Sequence, residues 1–159
     1  SSWIQDLQVG GGRIIGEMCH FIDLALHLAG SAIVQYHIVA VGDSRYAGVA
    51  SDKCSVQLKF ANGSIASIQY CANGHSSFPK ERIDIFWAGN VFQIDNFRKL
   101  RVYGGLIPSR SLWRQDKGND ACVGAFVKAL HRGAPSPIAF DEMLQVSRCA
   151  IDLTTMLGH

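Results

Sequence analysis

Asn62-Gly63 stands between two runs that alternate apolar and polar residues, and this pair constrains the fold more than any other feature. Before it, Lys53 to Phe60 places Cys54, Val56, Leu58 and Phe60 on one side and Ser55, Gln57 and Lys59 on the other. After it, Ser64 to Tyr70 alternates again, with Ile65, Ser67 and Gln69 opposed to Ala66, Ile68 and Tyr70. A period of two marks strands. Asn-Gly favours the two-residue type I′ turn, because both central residues of that turn need positive φ. The stretch therefore predicts a β-hairpin, and with it an antiparallel sheet.

The same pattern extends along the middle of the chain. Ile33 to Val41 is rich in β-branched residues and reads as a strand, followed by a loop from Gly42 to Ser51. Arg82 to Trp87 sets Ile83, Ile85 and Trp87 against Arg82, Asp84 and Phe86, and Gly89-Asn90 turns it into Val91 to Ile94. Lys99 to Tyr103 and Ser111 to Gln115 are further strands, with Gly104 to Ser109 as loop. At the ends the period is helical. Ile14 to Ala29 reads as a helix stopped by Gly30. Asn119 or Asp120 caps a helix through Leu130, with Cys122, Val123, Phe126, Val127 and Leu130 as its apolar face and Gly133 as its end. After Pro135 and Pro137, a last helix spans Phe140 to Leu157, with Asp141 and Glu142 at the positive end of its dipole. Helices segregated to the ends of a meandering sheet indicate an α+β fold with a largely antiparallel sheet.

Charge and composition exclude several classes. A net charge of +2 from 15 basic and 13 acidic residues, mostly scattered, gives no electrostatic case for nucleic acid. No apolar run reaches the ~20 residues of a membrane span. The five cysteines are odd in number and contain no CxxC pair, which points to reduced thiols in the cytoplasm rather than zinc or a disulfide framework. Ser1-Ser-Trp-Ile-Gln-Asp lacks the basic and apolar regions of a signal peptide and reads as the start of a piece cut from a longer chain.

The first helix carries the candidate chemistry. Glu17, His20, Asp23 and His27 fall at spacings of 3, 3 and 4, so they line one helical face. A histidine titrates near neutrality and can take the proton that a hydroxyl loses on oxidation. The blander readings are a hydrogen-bonded core histidine for His20, a dipole-serving carboxylate for Glu17, a backbone anchor for Asp23 and a surface or interface His27. Metal binding from one helix needs ligands from elsewhere, and no second His/Asp/Glu cluster stands out, so no metal is expected. Gly10-Gly11-Gly12 is not a dinucleotide fingerprint, because no strand precedes it and no acidic residue follows at the required distance. In the polar loop Asn73 to Lys80, His75 and Lys80, together with Arg82 just beyond, are candidates to contact hydroxyls or an acidic group. Trp113 to Lys117 is a candidate cap or stacking segment.

These residues also have a family likeness. GGGRIIGEMCHFIDLALHLAG, FANGSIASIQY, FPKERIDIFWAGNVFQIDNFRKLRVYG and the LWRQDKG-to-helix tail resemble the C-terminal domain of the Gfo/Idh/MocA family, over roughly residues 10–157. Members of that family are NAD(P)-dependent oxidoreductases of sugars, polyols and related compounds. They join an N-terminal Rossmann domain to a glyceraldehyde-3-phosphate-dehydrogenase-like C-terminal domain. That second domain is an open, mainly antiparallel sheet with helices on one face, and its other face often mediates oligomerisation.

The resemblance implies roles for individual residues. His20 matches the acid/base histidine, and Asp23 completes an HxxD motif. The carboxylate that often stands four residues before the histidine is replaced by Gly16. Glu17, one position later, is the candidate substitute, although one residue rotates a helical side chain by about 100°. The family's catalytic lysine belongs to a Glu-Lys-Pro segment of the Rossmann domain, which this chain lacks, and Lys80 is not its counterpart.

The expectation is thus one domain over residues 1–159 for substrate binding and oligomerisation, inactive alone. Catalysis falls to His20 and Glu17, and substrate contacts to Asp23, His75, Lys80 and Arg82. NAD or NADP is held mainly by the missing domain and not by this chain alone. The implied partners are a sugar or polyol and further copies of the chain, a dimer or tetramer through the sheet face. The alternative is a stand-alone dimeric binding or scaffold module without catalysis. An open sheet with one face unprotected would expose too much apolar surface as a monomer.

Overall fold

The computed structural model describes residues 11–41, 53–105 and 107–157. The expected loop from Gly42 to Ser51 and the amino-terminal residues lie outside these. In chain order the elements are a π-helical turn Ile14–Met18, α1 (Cys19–Ala29), β1 (Ile33–Ala40), β2 (Lys53–Phe60), β3 (Ile65–Cys71), β4 (Arg82–Trp87), β5 (Asn90–Asp95), β6 (Lys99–Tyr103), β7 (Arg110–Ser111), α2 (Asn119–Arg132) and α3 (Phe140–Met156). The strands form two antiparallel sheets, β1-β2-β3 and β4-β5-β6-β7. The chain divides into two compact units, one of residues 1–73 with 138–159 and the other of residues 74–137.

The first unit holds the core. Ile14, Met18, Ile22 and Leu26 are buried and stand four residues apart. In a regular α-helix a spacing of four drifts by ~40° per step, so such a stripe winds off its target. The π-helical turn corrects this where the sequence reading expected plain α-helix. The Cys19 N–H reaches back five residues to the Ile14 carbonyl, and the wider turn returns Met18 to the face of Ile14. Gly16, a weak helix former, sits at the centre of that turn. Gly30 then ends α1 at φ +58°, its N–H on the Leu26 carbonyl at 3.0 Å. The helical stripe packs with Val56, Leu58 and Phe60 of β2 and with Val146, Cys149 and Leu153 of α3. Each such side chain contributes about 1.5–3 kcal/mol by leaving water. The opposite sheet face is largely polar, Val39 and Ile65 apart: Gln69 donates to Ser55 at 2.8 Å and Ser67 to Gln57 at 2.7 Å.

The β2–β3 register is the one the alternation implies, with Cys54 opposite Tyr70 and Val56 opposite Ile68. The turn is not. Positive φ occurs at Gly63 (+88°) and not at Asn62, so no type I′ turn forms. Instead Ala61, Asn62 and Gly63 make a three-residue loop, closed by Phe60 N–H to the Ser64 carbonyl at 2.9 Å. Asn62 is held elsewhere: its amide donates to the Ala29 carbonyl at 2.9 Å and its side-chain oxygen accepts from Ser64 N–H at 3.0 Å. The hairpin tip is thereby tied to the end of α1.

In the second unit the sequence of positive φ values falls on Ala88 (+47°) and Gly89 (+78°), so the type I′ pattern appears here, one residue before the expected Gly89-Asn90. Asn90 is buried, and its amide donates to the Ala88 carbonyl at 2.9 Å. The expected strand over Ser111–Gln115 reduces to Arg110–Ser111; Leu112 N–H still bonds the opposite Arg98 carbonyl at 2.8 Å, and beyond it the Gln115 amide donates to Asn96 at 3.0 Å. Gly118 at φ +75° precedes α2 without a side-chain cap, and the helix runs two residues past Leu130. Its expected apolar face does not pack: Val123, Phe126, Val127 and Leu130 are 43–66% exposed. Ile83, Ile85, Phe92, Ile94, Leu100 and Val102 share one face of the sheet by register and are only half-buried.

Candidate functional site

Of the six candidate residues, Glu17, His20 and Asp23 belong to the first unit, and His75, Lys80 and Arg82 to the second. Glu17 lies in the π-helical turn and is the most engaged of the six. Arg13 Nη1 lies 3.2 Å from both its carboxylate oxygens, and the Tyr70 hydroxyl at the end of β3 donates to Oε2. Arg13 Nη1 also lies 3.5 Å from the Tyr70 oxygen. The carboxylate is thus shared by a cation and a phenol, and not by His20. Among the described residues the exposed His20 side chain has no hydrogen-bond partner, and Asp23 follows it one turn on, half-buried. An exposed imidazole at the second position of α1 is open to a ligand.

Arg13 and Tyr70 were not among the expected site residues. Arg13 had a signal, the i,i+4 spacing to Glu17 that favours ion pairs on helices. Tyr70 had none, since its meeting with Glu17 depends on how β3 packs against the helix. Burial, then the hydrogen bond to Glu17, pushes the Tyr70 phenol up to about 12. Tyr36 is likewise pushed up to about 12, chiefly by its hydrogen bond to Asp152 at 2.5 Å. The raised folded value means that Tyr70 contributes its full stability below the unfolded pKa of ~10, and that this is lost as pH rises through about 12. An alkaline titration of phenolate absorbance should show a late step from these two of the four tyrosines. Tyr70→Phe should remove about half of it; an unchanged late step would contradict the placement. Burial also raises the thiols of Cys19 and, up to about 12, Cys149. Neither is poised as a nucleophile.

In the second unit, His75 Nδ1 accepts the Ser77 N–H at 3.2 Å, which fixes the ring within its own turn. Arg82 pairs with Asp84 on the same strand at 3.3 Å, and Asp84 accepts from Gln93 at 2.8 Å. Lys80 faces a different place, an open recess of about 500 Å³. Trp113 is 90% exposed and stacks on none of the described residues. Lys117 bonds Glu81 at 2.8 Å. Among the described residues no three His, Cys, Asp or Glu side chains gather to hold a metal ion, and no helix is long and apolar enough to cross a membrane. Every strand pair is antiparallel, so the described residues contain no parallel βαβ cradle for a dinucleotide.

Residues 1–89 match the family model for the GFO/IDH/MocA C-terminal domain. The chain belongs to the Gfo/Idh/MocA family. No curated protein matches it. Solved structures share its fold. UDP-N-acetylglucosamine 3-dehydrogenase GnnA from Acidithiobacillus ferrooxidans is 21% identical, with a TM-score of 0.72 over 89% of this chain and 46% of that one. An aldose-aldose oxidoreductase from Caulobacter crescentus, complexed with glycerol, is 20% identical, with a TM-score of 0.77 over 100% of this chain and 50% of that one. A levoglucosan dehydrogenase in complex with NADH is 17% identical, with a TM-score of 0.77 over 98% and 50%. This member of the Gfo/Idh/MocA family therefore spans about half the length of the structures it matches, and its α+β architecture is theirs.

Proposed function

We propose that the chain is the substrate-binding and oligomerisation half of an NAD(P)-dependent oxidoreductase acting on a sugar, polyol or related hydroxy compound. The observation that carries this reading is the family match together with His20, an exposed imidazole on the helix behind the π-helical turn. Bound to a companion nucleotide domain, NAD(P) supplies hydride exchange. This chain's own part is to take the hydroxyl proton at the His20 ring and to orient the substrate, with Asp23 one turn on as a contact. Glu17 acts on the geometry of the helix through Arg13 and Tyr70. The cysteine pattern supports the cytoplasm. In a protein joining this chain to a nucleotide-binding domain, a panel of sugars and polyols should include compounds that reduce NAD(P). A panel with no such compound would refute the substrate class.

The second reading, a dimeric scaffold without chemistry, draws support from Gly16 and from the carboxylate of Glu17 being held by Arg13 and Tyr70.

Self-association belongs to both readings. The uncovered face of the first sheet is mostly polar, a ladder of Ser and Gln with exposed Val39 and Ile65 at its ends. The apolar face of β4-β5-β6, with Trp87 63% exposed beside Ile85, is the better candidate for a contact between copies. Light scattering should report a dimer or tetramer, and Trp87→Glu should shift it towards monomer. A monomer at high concentration, before any substitution, would contradict this.

A further inference from the structure

The recess around Lys80 is cationic beyond what the fold needs. Its walls come from three stretches of the second unit: the turn at residues 76–80, the β5–β6 turn, and the segment before α2. Four cations line it, Lys80, Arg98, Lys99 and Lys117, against one carboxylate, Asp95. Lys117 is neutralised by Glu81 at 2.8 Å and lies 6.0 Å from the Phe97 ring centre. Arg98 is anchored through Nε to the Leu112 carbonyl at 3.2 Å, which leaves the terminal nitrogens of its guanidinium to a ligand. Lys80 and Lys99 pair with no described residue.

Setting Lys117 against Glu81 and one further cation against Asp95 leaves two positive charges. Like charges brought to one recess raise its positive potential, and a bound anion would offset their mutual repulsion. The geometry points to a phosphoryl-binding site, in which a dianionic phosphate group sits among Arg98, Lys80 and Lys99. Arg98 presents N–H groups in the fork that matches phosphate oxygens, and the two ammonium groups add charge from either side. Asn96 in the same walls offers an amide donor for the ester oxygens or an attached sugar, its Oδ1 being held by Gln115. A recess of about 500 Å³ is large enough for a sugar phosphate. This goes beyond the oxidoreductase reading, needs no catalytic step, and stands or falls by binding alone.

The test is calorimetric titration of the full 159-residue chain at low salt with inorganic phosphate, glucose 6-phosphate, uridine diphosphate and uncharged glucose. Saturable binding of the phosphorylated probes is expected, weakened by added salt. Arg98→Gln should cost about tenfold in affinity, the usual size of one charge-assisted contact. Lys59→Glu, an exposed site in the other unit, should leave affinity unchanged. Tighter binding of glucose 6-phosphate than of phosphate assigns the site to a sugar ester; the tightest binding by uridine diphosphate assigns it to a nucleotide; equal binding assigns it to free phosphate. No saturable binding of any phosphorylated probe, or equal losses from Arg98→Gln and Lys59→Glu, would overturn the site.

Discussion

His20→Ala, in a protein that carries this chain behind a nucleotide-binding domain, is expected to lower turnover by about 10²–10⁴-fold while leaving cofactor affinity nearly unchanged, the usual size of an acid/base contribution. The argument is positional. His20 is exposed on a helix whose opposite stripe, Ile14, Met18, Ile22 and Leu26, is buried in the core, so truncation removes a ligand-facing group and leaves no cavity. The folded state should keep its stability, which separates loss of chemistry from loss of fold. Unchanged turnover would remove His20 from the mechanism and favour the scaffold reading.

The second large effect concerns the division of labour. Among the described residues no parallel strand pair or glycine-rich strand-to-helix turn offers a place for a dinucleotide, and the family match covers only the C-terminal type of domain. The 159-residue chain alone should therefore lack NAD(P)-linked turnover altogether, while its first unit keeps the buried core centred on Phe60, Leu58, Met18 and Leu153. That core makes a null result interpretable: circular dichroism of the isolated chain should show folded helix and sheet while activity is absent.

Much of the fold was legible because period is a robust signal. The alternation through Cys54, Val56 and Leu58 set both the buried face and the β2–β3 register. The turns were less legible, since Asn-Gly and Ala-Gly choose their geometry by what else holds them. Asn62 is drawn to Ala29 and Ser64, and so leaves the type I′ conformation to Ala88-Gly89. The π-helical turn was hidden for a related reason: the stripe at Ile14, Met18 and Ile22 has the spacing of a distorted helix, but only packing decides where the distortion sits. The apolar stripe of α2 was read correctly as a stripe, yet burial needs a partner, and Phe126 and Leu130 find none among the described residues.

The candidate site divides in the same way. Helical spacing put Glu17, His20 and Asp23 in succession, and it also held the Arg13–Glu17 pair. Nothing in the spacing shows that Tyr70, 53 residues away, takes one oxygen of Glu17. The recess at Lys80 likewise draws Arg98 and Lys117 from distant segments.

The most direct measurement is NAD(P)H formation from a sugar and polyol panel, compared between the isolated chain and the same chain joined to a nucleotide-binding domain. The account predicts turnover from the joined protein and none from the chain alone. Turnover by the 159 residues themselves would contradict it.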